Sequence, residues 1–279
     1  MTPLVSRRTF LASMAVGAAL PPSLLASKAT RVGGPGLGDH RSGPDDERRA
    51  RGALLPSNGR LAARPGALGK LTLAPGVHSV PSIDGREAQL LVPAAVADGA
   101  AASLAVMLHG AGGSIRGPLR FAGPAAEATG TLLLVPKSRD GTWDLLHDGF
   151  GPDVAFIDYC LAWAFGACNV DAKRLAIGGF SDGGSYALSL GVVNGDLFSH
   201  VLAFSPGFIG SAEPFGNPSV YISHGTADEV LPIDRASRRI VPGLRKRGYH
   251  VTYKEFDGPH TVPDEVALEA LRWVGHGAG

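Results

Sequence analysis

A serine held between glycines, in Gly179-Phe180-Ser181-Asp182-Gly183, is where chemistry could first reside in this sequence. It lies between a strand-like run, Leu175-Ala176-Ile177, and a helix-like run, Ser185 to Leu190. On such a turn a hydroxyl can be presented as a nucleophile, and glycine at each flank lets strand and helix approach closely. A hydroxyl is weak until a base takes its proton, and the base needs a group that fixes its tautomer. Two later stretches supply those types: His224-Gly225-Thr226-Ala227-Asp228 ends in a carboxyl group and Phe256-Asp257-Gly258-Pro259-His260 in an imidazole. Ser181 would then attack a carbonyl carbon, His260 would take the proton and return it to the leaving group, and Asp228 would hold the other ring nitrogen. The oxyanion that develops needs preformed donors. The backbone N–H groups of Asp182 and of Ala111, in His109-Gly110-Ala111-Gly112-Gly113, are the candidates.

Each assignment has a rival. Ser181 could be a helix N-cap. Asp196, Asp234 and Asp257 compete with Asp228, but Asp228 alone follows a strand-end His-Gly-Thr-Ala turn. His224 and His250 compete with His260, yet one precedes the acid and the other opens a strand. His109 reads as a residue that orients its loop. Trp143 and Phe208 stand in loops after strand-like runs, as substrate-pocket walls or as core aromatics.

These groups need a scaffold that brings distant loops to one edge. Val77 to Val80 and Gln89 to Val92 suggest an opening hairpin. Continuous apolar runs follow at Leu104–Leu108, Leu132–Val135, Leu175–Ile177, Val201–Phe204, Val220–Ile222 and Val251–Tyr253. Such runs fit strands buried on both faces. Helical patterns alternate with them at Pro124–Thr129, Asp153–Phe165, Gly184–Val193, Asp234–Arg247 and Asp264–Val274. The alternation predicts an α/β fold: an open, mostly parallel sheet with helices on both faces. In such sheets ligands sit at the carboxyl ends of the strands, where all four candidate segments fall. Between Ser205 and Ser219 there is no room for a large cap domain, so an open cleft is expected.

The 279 residues carry a formal net charge of +1, which gives no pull toward nucleic acid or an anionic membrane. Ser6-Arg7-Arg8-Thr9-Phe10-Leu11, an apolar stretch and Ser27-Lys28-Ala29 read as an export signal over residues 1–29, with a cleavage site. An uncleaved anchor is the rival, disfavoured by the Pro21-Pro22 break. Residues 30–70 are rich in Gly, Pro, Arg and Asp and read as a disordered linker, leaving 71–279 as the catalytic domain. Cys160 and Cys168 are read as free thiols, because eight helical residues rise about 12 Å and a disulfide needs under about 7 Å. Nucleotide binding fits poorly. Gly178 to Gly184 is glycine-rich after a strand, but the phosphate-binding lysine and the dinucleotide glycine spacing are missing. A noncatalytic binding protein on the same scaffold is the remaining rival, which the full set of candidate groups argues against.

The segments Leu108-His109-Gly110, Gly179-Phe180-Ser181-Asp182-Gly183, Ser223-His224-Gly225-Thr226-Ala227-Asp228 and Gly258-Pro259-His260 resemble the phospholipase/carboxylesterase branch of the α/β-hydrolases, which includes acyl-protein thioesterase-like enzymes. The resemblance spans about residues 75–275. It implies a Ser181–Asp228–His260 triad, an oxyanion hole at Ala111 and Asp182, an acyl-enzyme intermediate, and no metal or organic cofactor. The expected substrate is a small-molecule carboxylic ester with a small to medium acyl group. Ala111 stands where the family carries a bulky residue, and the signal and linker are atypical of cytosolic thioesterases. Secreted polyester depolymerases and feruloyl esterases are therefore alternatives. The twin-arginine-type signal implies a periplasmic or secreted protein, a transient encounter with the twin-arginine translocase, and no stable membrane partner afterwards.

Overall fold

The computed structural model describes residues 58–66, 73–96, 101–147 and 149–276. In chain order its strands are β1 (Gly76–Ser79), β2 (Ala88–Val92), β3 (Ala102–Leu108), β4 (Leu132–Pro136), β5 (Val170–Phe180), β6 (His200–Phe204), β7 (Ser219–Gly225) and β8 (Val251–Phe256). They form one sheet in the order β1-β2-β4-β3-β5-β6-β7-β8. The pairs β1·β2 and β2·β4 are antiparallel and all others are parallel. The helices are α1 (Arg116–Thr129), α2 (Pro152–Ala167), α3 (Asp182–Val193), α4 (Ser237–Lys246) and α5 (Asp264–Gly275).

Alternation along the buried strands gives the sheet two apolar faces. Leu104, Val106 and Leu108 of β3 join a core with α2, α3 and α4, which contribute Ile157, Leu161, Leu188 and Val241. Ala105 and Met107 point the other way, into a second core with Ala122 and Ala126 of α1 and Val266 and Leu271 of α5. Burying one such large aliphatic side chain contributes roughly 1.5–3 kcal/mol, so both faces hold helices. This is the mostly parallel α/β architecture that the alternation of patterns predicts.

Three boundaries differ from the sequence reading. Helix α1 begins eight positions before the expected Pro124, which lies inside it. Gly117 and Pro118 obscure its first turn in the sequence, and packing holds this half, with Phe121 edge-on to Phe180 and Phe204. The pattern at Asp234–Arg247 divides into a short 3-10 turn, Ile233–Arg235, and α4. Strand β5 starts at Val170, which pairs with Ala102; the register then shifts across residues 171–174, three of them charged, and pairing resumes at Leu175 with Leu104.

The linker reading is corrected for residues 58–66, which are docked. Leu61 is buried, and its N–H donates to Asn194 Oδ1 at 2.9 Å. Asn194 Nδ2 donates to the Gly59 carbonyl at 2.8 Å. The Ala62 and Ala63 amides both donate to Asp158 Oδ1, and Arg60 pairs with Asp196 at 2.7 Å. Side chains of the folded domain satisfy the backbone here, a pattern that leaves no hydrophobic period to read. The rest of the linker reading and the signal at 1–29 lie outside the described residues. Cys160 and Cys168 are free and buried, and burial pushes their thiols up to about 12 and about 11.

Candidate active site

Ser181 sits between the end of β5 and the start of α3 with φ 58° and ψ −120°. A positive φ at a non-glycine residue costs on the order of 1–3 kcal/mol and persists only where the surroundings fix it. Here the Ser181 N–H donates to the Phe204 carbonyl at 2.9 Å, and the Ser181 carbonyl accepts from Ser185 N at 2.9 Å. The flanking glycines are required by space. A Cβ at Gly179 would collide with the Gly183 backbone, and one at Gly183 with the carbonyl oxygens of Leu108 and His109. The glycine-rich loop after β3 lies close by, since a Cβ at Gly110 would come within 3.3 Å of Ser181 Cβ.

Asp228 and His260 come together on neighbouring loops. The loops after β7 and β8 are joined by Thr226 N to Phe256 O at 2.8 Å and Ala227 N to Gly258 O at 3.0 Å. Only a residue without Cβ fits at Gly225, where one would collide with the Gly258 carbonyl. His260 Nδ1 lies 2.6 Å from Asp228 Oδ2. The other carboxylate oxygen, Oδ1, accepts from the N–H groups of Val230 at 3.0 Å and Leu231 at 2.8 Å. The Asp228 side chain is fully buried and that of His260 is 14% exposed. Because the carboxylate accepts, Nδ1 carries the ring proton, and in the neutral ring Nε2 is left as an acceptor. Phe180 stacks its ring at 4.5 Å from the His260 ring. Among the described residues the Ser181 hydroxyl is not hydrogen-bonded to His260, as is common before substrate closes a site.

The amides of the loop after β3 differ in their partners. Gly112 N donates to Gly141 O at 2.6 Å and Gly113 N to Gly110 O at 3.0 Å, while the Ala111 amide has no partner among the described residues. The Asp182 amide belongs to the first turn of α3, whose N–H groups lack intrahelical acceptors. His109 is buried and orients this loop. Its Nε2 accepts from Ser138 N at 3.1 Å, so Nδ1 holds the proton and donates to Gly110 O at 2.8 Å. Burial lowers its pKa and keeps the ring neutral.

Trp143 is no pocket wall. It is fully buried, its Nε1 donates to the His109 carbonyl at 2.8 Å, and its ring packs between His109 and Tyr186. Phe208 is half-buried in the loop after β6. The rival acids lie elsewhere: Asp196 pairs with Arg60 and Arg64, and Asp234 with Arg238. His250 is exposed beside β8.

Several residues around the site carried no sequence signal. Thr142 Oγ1 donates to Asp182 Oδ2 at 2.8 Å, tying the β4 loop to the turn at Ser181. Beneath Trp143, Tyr186 OH donates to Asp144 Oδ1 at 2.9 Å. Asp144 Oδ2 accepts from Asp153 N at 2.7 Å, and Asp153 Oδ1 from Arg86 at 2.8 Å. Burial, and then the charge of Asp144, pushes the Asp153 carboxyl up to about 6. Asp153 read only as a helix start, and nothing in its spacing pointed to Arg86.

No family model matches this chain. Feruloyl esterase C of Emericella nidulans is 30% identical over 191 residues, which cover 66% of this chain and 68% of that protein. Among solved structures, a thermostable esterase superposes with a TM-score of 0.59 at 22% identity, over 72% of this chain and 63% of that one. Esterase PE8 superposes with a TM-score of 0.55 at 21% identity, over 68% of this chain and 97% of that one. The structural likenesses establish the α/β-hydrolase fold.

Proposed function

This chain belongs to the α/β-hydrolase esterase family of feruloyl esterase C and hydrolyses carboxylic esters, and from that premise we propose that Ser181, His260 and Asp228 form its triad, acting on esters of hydroxycinnamate-type aromatic acids. The observation that most supports the triad is the 2.6 Å contact of His260 Nδ1 with buried Asp228, which leaves Nε2 as the acceptor on the open side of the ring. Ser181, on a strained turn beside two unpartnered amides, completes the set.

Ser181 Oγ attacks the ester carbonyl carbon while His260 Nε2 takes its proton. The carbonyl oxygen becomes an oxyanion, and the Ala111 and Asp182 N–H groups donate to it. Losing one such donor typically raises the barrier by about 3–4 kcal/mol. The tetrahedral adduct collapses, the alcohol leaves with the proton from His260, and the acyl group stays on Ser181. Water then repeats the sequence, giving its proton to His260 and releasing the acid and the free hydroxyl. Asp228 stabilises the imidazolium at both stages. Phe208 serves as a wall for the acyl group, and among the described residues no helix stands between β6 and β7 to cap the leaving-group side, which is open to a large alcohol.

The aromatic-acyl reading draws on the relative named above. Small alkyl esters, polyesters and the thioesters suggested by the motif resemblance are its competitors. Fluorophosphonate labelling tests the nucleophile: the wild type should take the label and Ser181→Ala should not, and label retained in the variant would end the assignment. Methyl ferulate, nitrophenyl acetate and laurate, and a polyester film, compared by kcat/KM, test the substrate. Methyl ferulate should lead, and a lead by nitrophenyl laurate or the film would overturn the aromatic-acyl reading.

A further inference from the structure

His224 has no part in the mechanism above, yet its ring is fully buried against the acid of the proposed triad. Its Nε2 lies 3.1 Å from Asp228 Oδ2, the same oxygen that meets His260. Nε2 also lies 2.8 Å from the Leu231 carbonyl, which can only accept. The proton must therefore sit on Nε2, shared between Leu231 O and Asp228 Oδ2. That leaves Nδ1 of the neutral ring as an acceptor, and Ser237 Oγ donates to it from 2.7 Å at the start of α4. Burial holds His224 toward its neutral form. The charged and titratable groups facing it are Asp228 and His260 from the two loops and Glu255 from β8, its register partner, which is itself paired with Arg238 of α4.

We propose that His224 is a positioning residue, a second imidazole that fixes the Asp228 carboxylate and shares its Oδ2 with the base. The inference rests on the triad reading of Asp228 and His260. Two consequences follow from the shared oxygen. The carboxylate cannot rotate away from His260, because Leu231 N, Val230 N and His224 Nε2 hold it from three directions. The donation from His224 also draws off part of the negative charge that would otherwise bind the His260 imidazolium.

Two polar substitutions separate this role from simple packing. In His224→Gln the side-chain amide nitrogen can take the place of Nε2 and still donate to Asp228. In His224→Asn the amide reaches only the Nδ1 position beside Ser237 and falls short of Asp228. The Gln variant should keep the acid limb of its kcat/KM profile where the wild type has it. The Asn variant should lose about tenfold in kcat with KM held, the scale of one hydrogen bond to a charged group. Its acid limb should move to higher pH by about half a unit, a modest change in that contact. Equal behaviour of the two variants, or an unmoved limb in Asn, would overturn the proposal. If the Asn variant does not fold, His224→Met carries the test, since it fills much of the ring's space and donates nothing to Asp228; the limb should again move upward, and an unmoved limb overturns the proposal. Fluorophosphonate labelling of the wild type accompanies each assay. Failure to label at Ser181 would remove the triad reading itself, whereas a wild type that labels, with Gln and Asn variants of equal kcat and acid limb, would remove only the role of His224.

Discussion

Trp143 occupies one well-defined place: its indole N–H is spent on the carbonyl of His109, the residue that leads into the proposed oxyanion loop. Trp143→Phe keeps an aromatic ring against Tyr186 but strands that buried carbonyl. A lost partner of this kind costs about 1–3 kcal/mol, which urea unfolding would read as a lower midpoint with an unchanged slope. Because the loop it steadies carries Ala111, kcat should fall more than KM rises. At this scale the placing of Ser181, Asp228 and His260 at strand ends, with Asp228 against His260, was legible in the sequence, because each proposed role demands a residue type there. The indole of Trp143 was not, since a loop tryptophan reads equally as wall or core until its exposure is known. Phe180 was hidden for a similar reason. It is the variable position of the Gly-Phe-Ser turn, and only the fold shows that its ring lies against His260.

At the scale of elements, the loops after β4 and β7 do the positioning. The β4 loop reaches the turn at Ser181 through Thr142 and the first turn of α2 through Arg139, whose N–H donates to Asp153. Asp153 is a carboxyl whose folded-state pKa is raised, so the folded protein holds that proton more tightly than the unfolded chain does. Its contribution to stability is present at acid pH and is lost as pH rises through about 6. Arg86 offsets the loss by standing against the charged form at 2.8 Å. Arg86→Met should therefore cost about 3–5 kcal/mol at pH 8, the usual scale for an uncompensated buried charge, and clearly less at pH 5. Equal losses at the two pH values, measured by urea unfolding, would contradict this account. The strands were legible because their apolar runs are continuous. This network was not, because it joins the segment before β2 to α2 and α3 across long sequence separations.

At the scale of the whole molecule, the sheet and its two helical faces were legible in the order of the patterns, and the docking of residues 58–66 was not. Export belongs to this scale. Arg7 and Arg8 precede an apolar run, and we propose that they direct the folded enzyme across the membrane through the twin-arginine translocase. Changing Arg7 and Arg8 together to Lys should leave esterase activity in the cytoplasmic fraction, and undiminished activity outside the cell would contradict the signal.

The stretch between β6 and β7 separates the site into two parcels. Everything before it supplies the proposed hydroxyl and amide donors, at Ala111, Ser181 and Asp182; everything after it supplies the proposed acid and base, at Asp228 and His260. Residues 213–217 of that connection are exposed and belong to no helix or strand. Cleaved there, each fragment would be chemically mute, and turnover would return only when β6 and β7 paired again. The enzyme's activity would in that sense report on one parallel strand seam, two strands in from the edge of its own sheet.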